Sequence, residues 1–134
     1  MEDYLKLLAL TDEYFDQIIS FEKEKADAGL FMSDFACQNI IDQCNAFIVD
    51  SDNHYLIETF NTRIDKLTGL TQSEKDHYRL QTKNAPRTYF PAYENLAAAL
   101  TDLLGSGTNE NGLCYFPEGK QYYEYLLAYN TGAA

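Results

Sequence analysis

The stretch Ser33-Asp34-Phe35-Ala36-Cys37-Gln38-Asn39-Ile40-Ile41-Asp42-Gln43-Cys44-Asn45-Ala46-Phe47-Ile48 decides the fold class. Cys37, Ile40, Ile41, Cys44, Phe47 and Ile48 fill the i, i+3, i+4, i+7 template of an amphipathic helix without a miss. Ser33 stands where its side-chain oxygen can cap the first free N–H groups. Cys37 and Cys44 share the apolar face. At the α-helical rise they lie roughly 10 Å apart along the axis, beyond the reach of a disulfide. With no Cys-x-x-Cys and no zinc-type spacing, the cysteines read as small buried hydrophobes.

The same period extends in both directions. Upstream, Tyr4, Leu8, Phe15, Ile18, Ile19 and Ala26 mark one face of a long first helix that Gly29 is placed to end. Downstream, Asp50-Ser51-Asp52-Asn53 is turn chemistry, and a third helix carries Leu56 or Ile57, Phe60, Ile64 and Leu67 inward. Thr71-Gln72-Ser73-Glu74 is a capping box that opens a fourth. Its core face holds Phe90, Tyr93, Leu96, Ala97, Leu100 and Leu104, and Pro86 and Pro91 predict a break or kink between about 84 and 91. Gly105 to Gly112 reads as a flexible loop, Leu113 to Phe116 as a short extended piece, and Pro117-Glu118-Gly119 as a turn. A last helix follows from about Lys120 to Tyr129. The expectation is an all-α fold of about five helices with long antiparallel members. Residues 1–134 then form a single helical domain or a fragment of something larger.

Bulk properties exclude several classes. The 134 residues can bury one core. A formal charge of −11, nine units of it in residues 1–70, repels phosphate backbones and anionic lipid, so nucleic acid is not an expected partner. No apolar run is long enough to span a bilayer. The acidic start Met1-Glu2-Asp3-Tyr4 does not resemble a signal peptide, and any export signal of the natural protein would lie outside these residues. Lys75, Arg79, Lys83 and Arg87 recur every four residues as a basic stripe, which is expected to face the acidic first half or solvent.

Catalytic constellations are absent from the pattern. His54 and His77 lie in different predicted elements, neither begins a His-Glu-x-x-His, and no Gly-x-Ser-x-Gly occurs. Asn109, Asn111, Gly112 and Glu118 fall at positions 3, 5, 6 and 12 of a calcium loop beginning at Gly107. Glycine at its first position and Pro117 near its end argue against that use. No catalytic residue, metal ligand or cofactor is expected in this chain. Five of the eleven tyrosines lie between Tyr115 and Tyr129. Their apolar bodies and polar tips suit core packing, a half-wet groove or a partner interface. Tyr115, Tyr122 and Tyr123 are the candidate cleft or ligand contacts.

Two motifs carry a resemblance. Phe90-Pro91-Ala92-Tyr93-Glu94-Asn95-Leu96 precedes a Gly-rich loop, and Gly112-Leu113 leads through Pro117-Glu118-Gly119 to Tyr122-Tyr123-Glu124-Tyr125-Leu126, with Thr131-Gly132 beyond. This pattern resembles bacterial domain of unknown function 885, whose members look like zinc peptidases and are often lipoproteins. The Firmicutes-type branch is similar over most of the chain, including Gly29 to Ser33 and Leu67 to Thr71. The resemblance implies a helical, non-catalytic portion of a longer extracytoplasmic or lipid-anchored protein. Zinc is implied only for that parent, because the family's His-Glu motif lies beyond the matched residues. The implied partner is the remainder of the parent polypeptide, with Tyr122 and Tyr123 lining its cleft. Two alternatives stay open: a standalone helical module that binds a peptide or protein through the tyrosine helix, and a small-molecule or glycan site on the same tyrosines.

Overall fold

Gly29, Ser33 and Thr71 punctuate the chain where the sequence places its stops and starts. In a computed structural model that describes residues 2–132, Gly29 adopts φ +70° after the second helix. Ser33 Oγ accepts from the Ala36 N–H at 3.3 Å, and Thr71 and Glu74 complete a reciprocal capping box. The elements are α1 (Glu2–Ala9), α2 (Thr11–Asp27), α3 (Asp34–Phe47), α4 (Tyr55–Asp65), α5 (Gln72–Asn84), α6 (Pro86–Asp102), a 3₁₀ turn (Leu113–Tyr115) and α7 (Gly119–Thr131). The fold is all-α, and no strand occurs among the described residues.

Five predicted helical segments become seven helices because the first and fourth each divide. The first divides at Leu10, whose N–H reaches back only three residues, to the Leu7 carbonyl at 3.1 Å. The turn sends α1 toward α4, where Tyr4 stacks on Phe60 with ring centroids 5.4 Å apart. The fourth divides at Ala85, and Pro86 takes the first position of α6, where its missing N–H costs nothing. Pro91 sits inside α6 and the helix runs on through it.

The core lies where α6 packs against α2 and α3. Phe31, Cys37, Ile41, Cys44, Leu96, Ala97 and Leu100 are buried there, with Phe15, Ile18, Ile19 and Tyr93 packed around them. Cys37 Sγ donates to the Leu100 carbonyl at 3.4 Å, and burial pushes both the Cys37 and Cys44 thiols up from their ordinary pKa. Leu67, expected inward, is 39% exposed, because α4 ends at Asp65 and releases it into the following turn. The basic stripe divides as well. Arg79 pairs with Asp65 and Asp76, and Lys75 donates to the Asp65 carbonyl. Lys83 and Arg87 face solvent.

The glycine-rich loop is pinned rather than loose. Asp34 Oδ1 accepts from the Gly105 N–H at 2.8 Å, and Glu110 Oε1 accepts from the Asp34 N–H at 3.0 Å. Thr108 Oγ1 donates to the Gly29 carbonyl at 2.8 Å. The expected extended piece at 113–116 is instead the 3₁₀ turn, closed by Tyr115 N–H to Gly112 O and Phe116 N–H to Leu113 O, both 3.1 Å. Only Phe116, held extended by the proline after it, keeps the predicted conformation.

Candidate functional site

α7 begins at a forced approach. A Cβ on Gly119 would stand 2.0 Å from the Leu113 carbonyl oxygen, so only glycine lets the helix foot lie on the 3₁₀ turn. Glu118, just before it, holds the left-handed conformation at φ +57°, a strained state for a non-glycine residue. These two positions give the Pro117-Glu118-Gly119 motif its physical meaning. They aim the helix, while the clamps on Asp34 and Gly29 hold the preceding loop against the α2–α3 connection.

Between α2 and the foot of α7 lies a groove of about 610 Å³. Phe21 and Leu30 form one side, Leu113, Phe116 and Pro117 the other, and Tyr122 the rim. Its charged groups are Lys25 and Glu118. Lys25 Nζ lies 2.8 Å from Glu22 and 5.6 Å from the Phe21 ring centroid, so its charge is neutralised within α2. Apolar side chains dominate its lining, and its polar groups are Lys25, Glu118, Gln121 and the Tyr122 phenol, a composition suited to holding an apolar group.

The structure separates the three candidate tyrosines. Tyr122 is 52% exposed and lines the groove, whereas Tyr115 and Tyr123, 68% and 55% exposed, lie outside its lining. Tyr122, Tyr125 and Tyr129 instead form a stacked ladder with centroid spacings of 6.3 and 6.1 Å. Gly119 is the only buried residue of α7. Among the described residues the tyrosines of α7 are therefore exposed and not part of the core.

A second polar arrangement went unseen in the sequence. His54, only 4% exposed, is the N-cap of α4. Its Nε2 lies 2.9 Å from the Phe47 carbonyl, which fixes the proton on that nitrogen and leaves Nδ1 as acceptor. Nδ1 receives the Leu56 N–H at 3.4 Å and the Tyr89 hydroxyl at 3.2 Å. Phe47, Tyr55 and Phe90 surround the imidazole. Burial pushes the Tyr89 phenol up to about 12. Periodicity assigned Phe90 and Tyr93 to the core but gave no sign that His54 and Tyr89, 35 residues apart, would meet.

Zinc does not fit the side chains present. Among the described residues no group of three or more His, Cys, Asp or Glu is placed to hold a metal ion. Both ring nitrogens of His54 are engaged within the fold, and His77 lies exposed on α5. Asn109, central to the calcium-loop spacing, spends its amide on its own turn, accepting from Asn111 N–H and donating to the Gly112 carbonyl.

Fold and groove together give an all-α chain with an apolar hollow beside α7. The chain belongs to the family described as "Bacterial protein of unknown function (DUF885)", which matches residues 1–134. A crystal structure described as that of a "putative lipoprotein" from Colwellia psychrerythraea is similar in fold, with a TM-score of 0.85 at 23% identity. The likeness covers 98% of this chain and 23% of that one, so the chain spans about a quarter of the neighbour's length. No curated protein matches the sequence. No helix among the described residues is long and apolar enough to cross a membrane.

Proposed function

We propose that this chain is a non-catalytic helical segment of a zinc-peptidase-like protein, serving as scaffold and as one wall of its cleft. The observation that carries the reading is the contrast within α7. Its foot is locked by Gly119 against the Leu113 carbonyl, while its tyrosines project uncovered beside a preformed apolar groove. A surface held this firmly and left this bare suits contact with another polypeptide, either the remainder of a longer family protein or a peptide in its cleft. A standalone peptide-binding module is the second reading, favoured by one feature: Phe21, Leu30, Leu113 and Phe116 already converge on one apolar groove within these residues.

The test compares this chain with a family member of full length that contains the equivalent segment. The longer protein is expected to hydrolyse peptides and to lose that activity to a chelator, and the 134-residue chain is expected to hydrolyse none. Replacing the counterparts of Phe116 and Tyr122 by Ala in the longer protein should raise KM more than it lowers kcat, as loss of substrate binding requires. Chelator-sensitive hydrolysis by the short chain alone would overturn the reading.

A further inference from the structure

The groove beside α7 is one end of a longer track. A second hollow, shallow, open and lined by α2 residues alone, lies along the outer face of α2 and shares Phe21 with the groove. A third, of about 410 Å³, shares Glu13 and Gln17 with the second and reaches Leu10 and Tyr14. Glu13, Gln17, Ser20 or Phe21, and Glu24 follow the i, i+4, i+7/8, i+11 spacing of a single helix stripe. The opposite face of α2 is occupied by Phe15, Ile18, Ile19 and Ala26 against the core. The stripe therefore faces outward along its length.

Charge and apolar surface alternate along it. At one end Leu10 and Tyr14 are 52% and 61% exposed, and at the other Phe21 is 59% exposed above the groove. Between and beside them Glu13, Asp16 and Glu24 line the middle hollow, and none joins an ion pair among the described residues. Among the described residues that line the track the one cation is Lys25, held by Glu22. Two apolar anchors thus flank an uncompensated acidic centre. Leu10 and Phe21 are about 16 Å apart along the helix axis, a span of roughly five residues of extended peptide.

We infer that this track binds a free polypeptide segment with cationic side chains between apolar ones. The proposal deepens the reading of the groove as a polypeptide cleft and rests on it. Complementarity selects the occupant: the basic side chains meet Glu13, Asp16 and Glu24, and the flanking apolar groups enter the Phe21 groove and the Leu10–Tyr14 hollow. A second copy of the chain is disfavoured as occupant, since each copy carries a formal charge of −11 and the same acidic stripe.

The test uses a fluorescein-labelled peptide Phe-Lys-Ser-Lys-Phe, read by anisotropy against the whole chain. Phe-Glu-Ser-Glu-Phe and Ala-Lys-Ser-Lys-Ala serve as controls. Binding of the first is expected, with a loss of at least about tenfold for each control and on raising salt from roughly 50 to 500 mM. Combining Glu13→Gln, Asp16→Asn and Glu24→Gln should weaken binding by a similar factor and flatten the salt dependence. Phe21→Ala should weaken it at every salt concentration. All four positions are exposed, and circular dichroism checks that the variants stay helical. Neutralising Glu58, Glu94 and Asp102, which line none of the track, should change affinity little. Equal binding of the acidic peptide, or equal weakening by the distant triple change, would reduce the effect to net charge and overturn the proposal. Concentration-dependent dimerisation blocked by Phe21→Ala would overturn it in favour of a second copy. Binding by this chain but not by a full-length family member would overturn it in favour of an intramolecular occupant. Anisotropy does not depend on hydrolysis, so a family protein that cleaves no peptide would defeat the peptidase reading while leaving this one standing.

Discussion

Tyr89 and Tyr125 carry the same phenol on regular α-helices, yet one is 2% exposed and the other 59%. Tyr89 lies in α6, which packs against α1, α2, α3 and α5, and its hydroxyl has a buried acceptor in His54. Tyr125 lies in α7, which packs on the Leu113–Tyr115 turn, and its ring stacks on Tyr122 and Tyr129 of its own helix. Tyrosine chemistry does not choose between these fates. The choice falls to whether the fold supplies both an apolar wall and a partner for the hydroxyl. Phe47 of α3, Phe90 of α6 and His54 at the head of α4 supply both. Around Tyr125 the α7 region supplies neither, and the ring stays exposed.

The largest effect expected from this contrast is in the core. Phe31→Ala empties a fully buried site beside Cys37 and Leu100, and should cost about 3–5 kcal/mol in urea unfolding. Tyr125→Ala, on the uncovered helix, should stay within about 0.5 kcal/mol. A loss at Tyr125 as large as at Phe31 would mean that α7 is packed against the core in solution.

A smaller effect is expected from alkali. Burial raises the Tyr89 phenol to about 12 from its ordinary 10, and burial raises Tyr4 and Tyr93 in the same direction. A folded-state pKa above the unfolded one leaves the stability intact below about pH 10, and it is lost as pH rises toward 12. For Tyr89 the full loss is about 2–3 kcal/mol. Tyr89→Phe should start about 1 kcal/mol less stable at neutral pH, having left His54 Nδ1 with one donor fewer. It should then decline less steeply between pH 10 and 12. Parallel decline of the two proteins would place the alkaline sensitivity elsewhere.

These differences track what a sequence can express. The α3 stripe, the Ser33 cap and the Thr71–Glu74 box were legible because each is a local pattern that one helix satisfies alone. The division at Leu10 was not, since no proline or glycine marks it and the surfaces α1 packs on, Phe60 and α6, are distant in the sequence. The His54–Tyr89 bond was equally silent, because periodicity assigns faces and not partners across 35 residues. At the groove, Tyr122 was legible as part of a dense motif. Phe21 and Leu30, its opposite wall, were not, because they reach the site only through the clamps that Asp34, Thr108 and Glu110 place on the loop. That loop reads as loose from its glycines, and it takes three long-range hydrogen bonds to make it rigid.

Gly119 joins the two regions, and replacing it sharpens the contrast most finely. In Gly119→Ala the new methyl meets the Leu113 carbonyl oxygen at 2.0 Å, and a backbone atom, unlike a side-chain tip, cannot swing aside. Either the 3₁₀ turn or the foot of α7 must move, at a cost of about 1–2 kcal/mol. That cost falls where the structure is least tied down, since α7 buries nothing beyond Gly119 itself. The global midpoint should therefore shift little. Amide exchange from Tyr122 to Leu127 should accelerate by about tenfold, the equivalent of 1.4 kcal/mol of local stability, while exchange in α3 and α6 stays unchanged. Peptide affinity at the Phe21 groove should fall with it, because Phe116 and Tyr122 lose their fixed distance from α2. A shift of the core transition as large as that of Phe31→Ala would show that α7 folds with the core as one unit, and the distinction between a packed region and an anchored but uncovered one would fail.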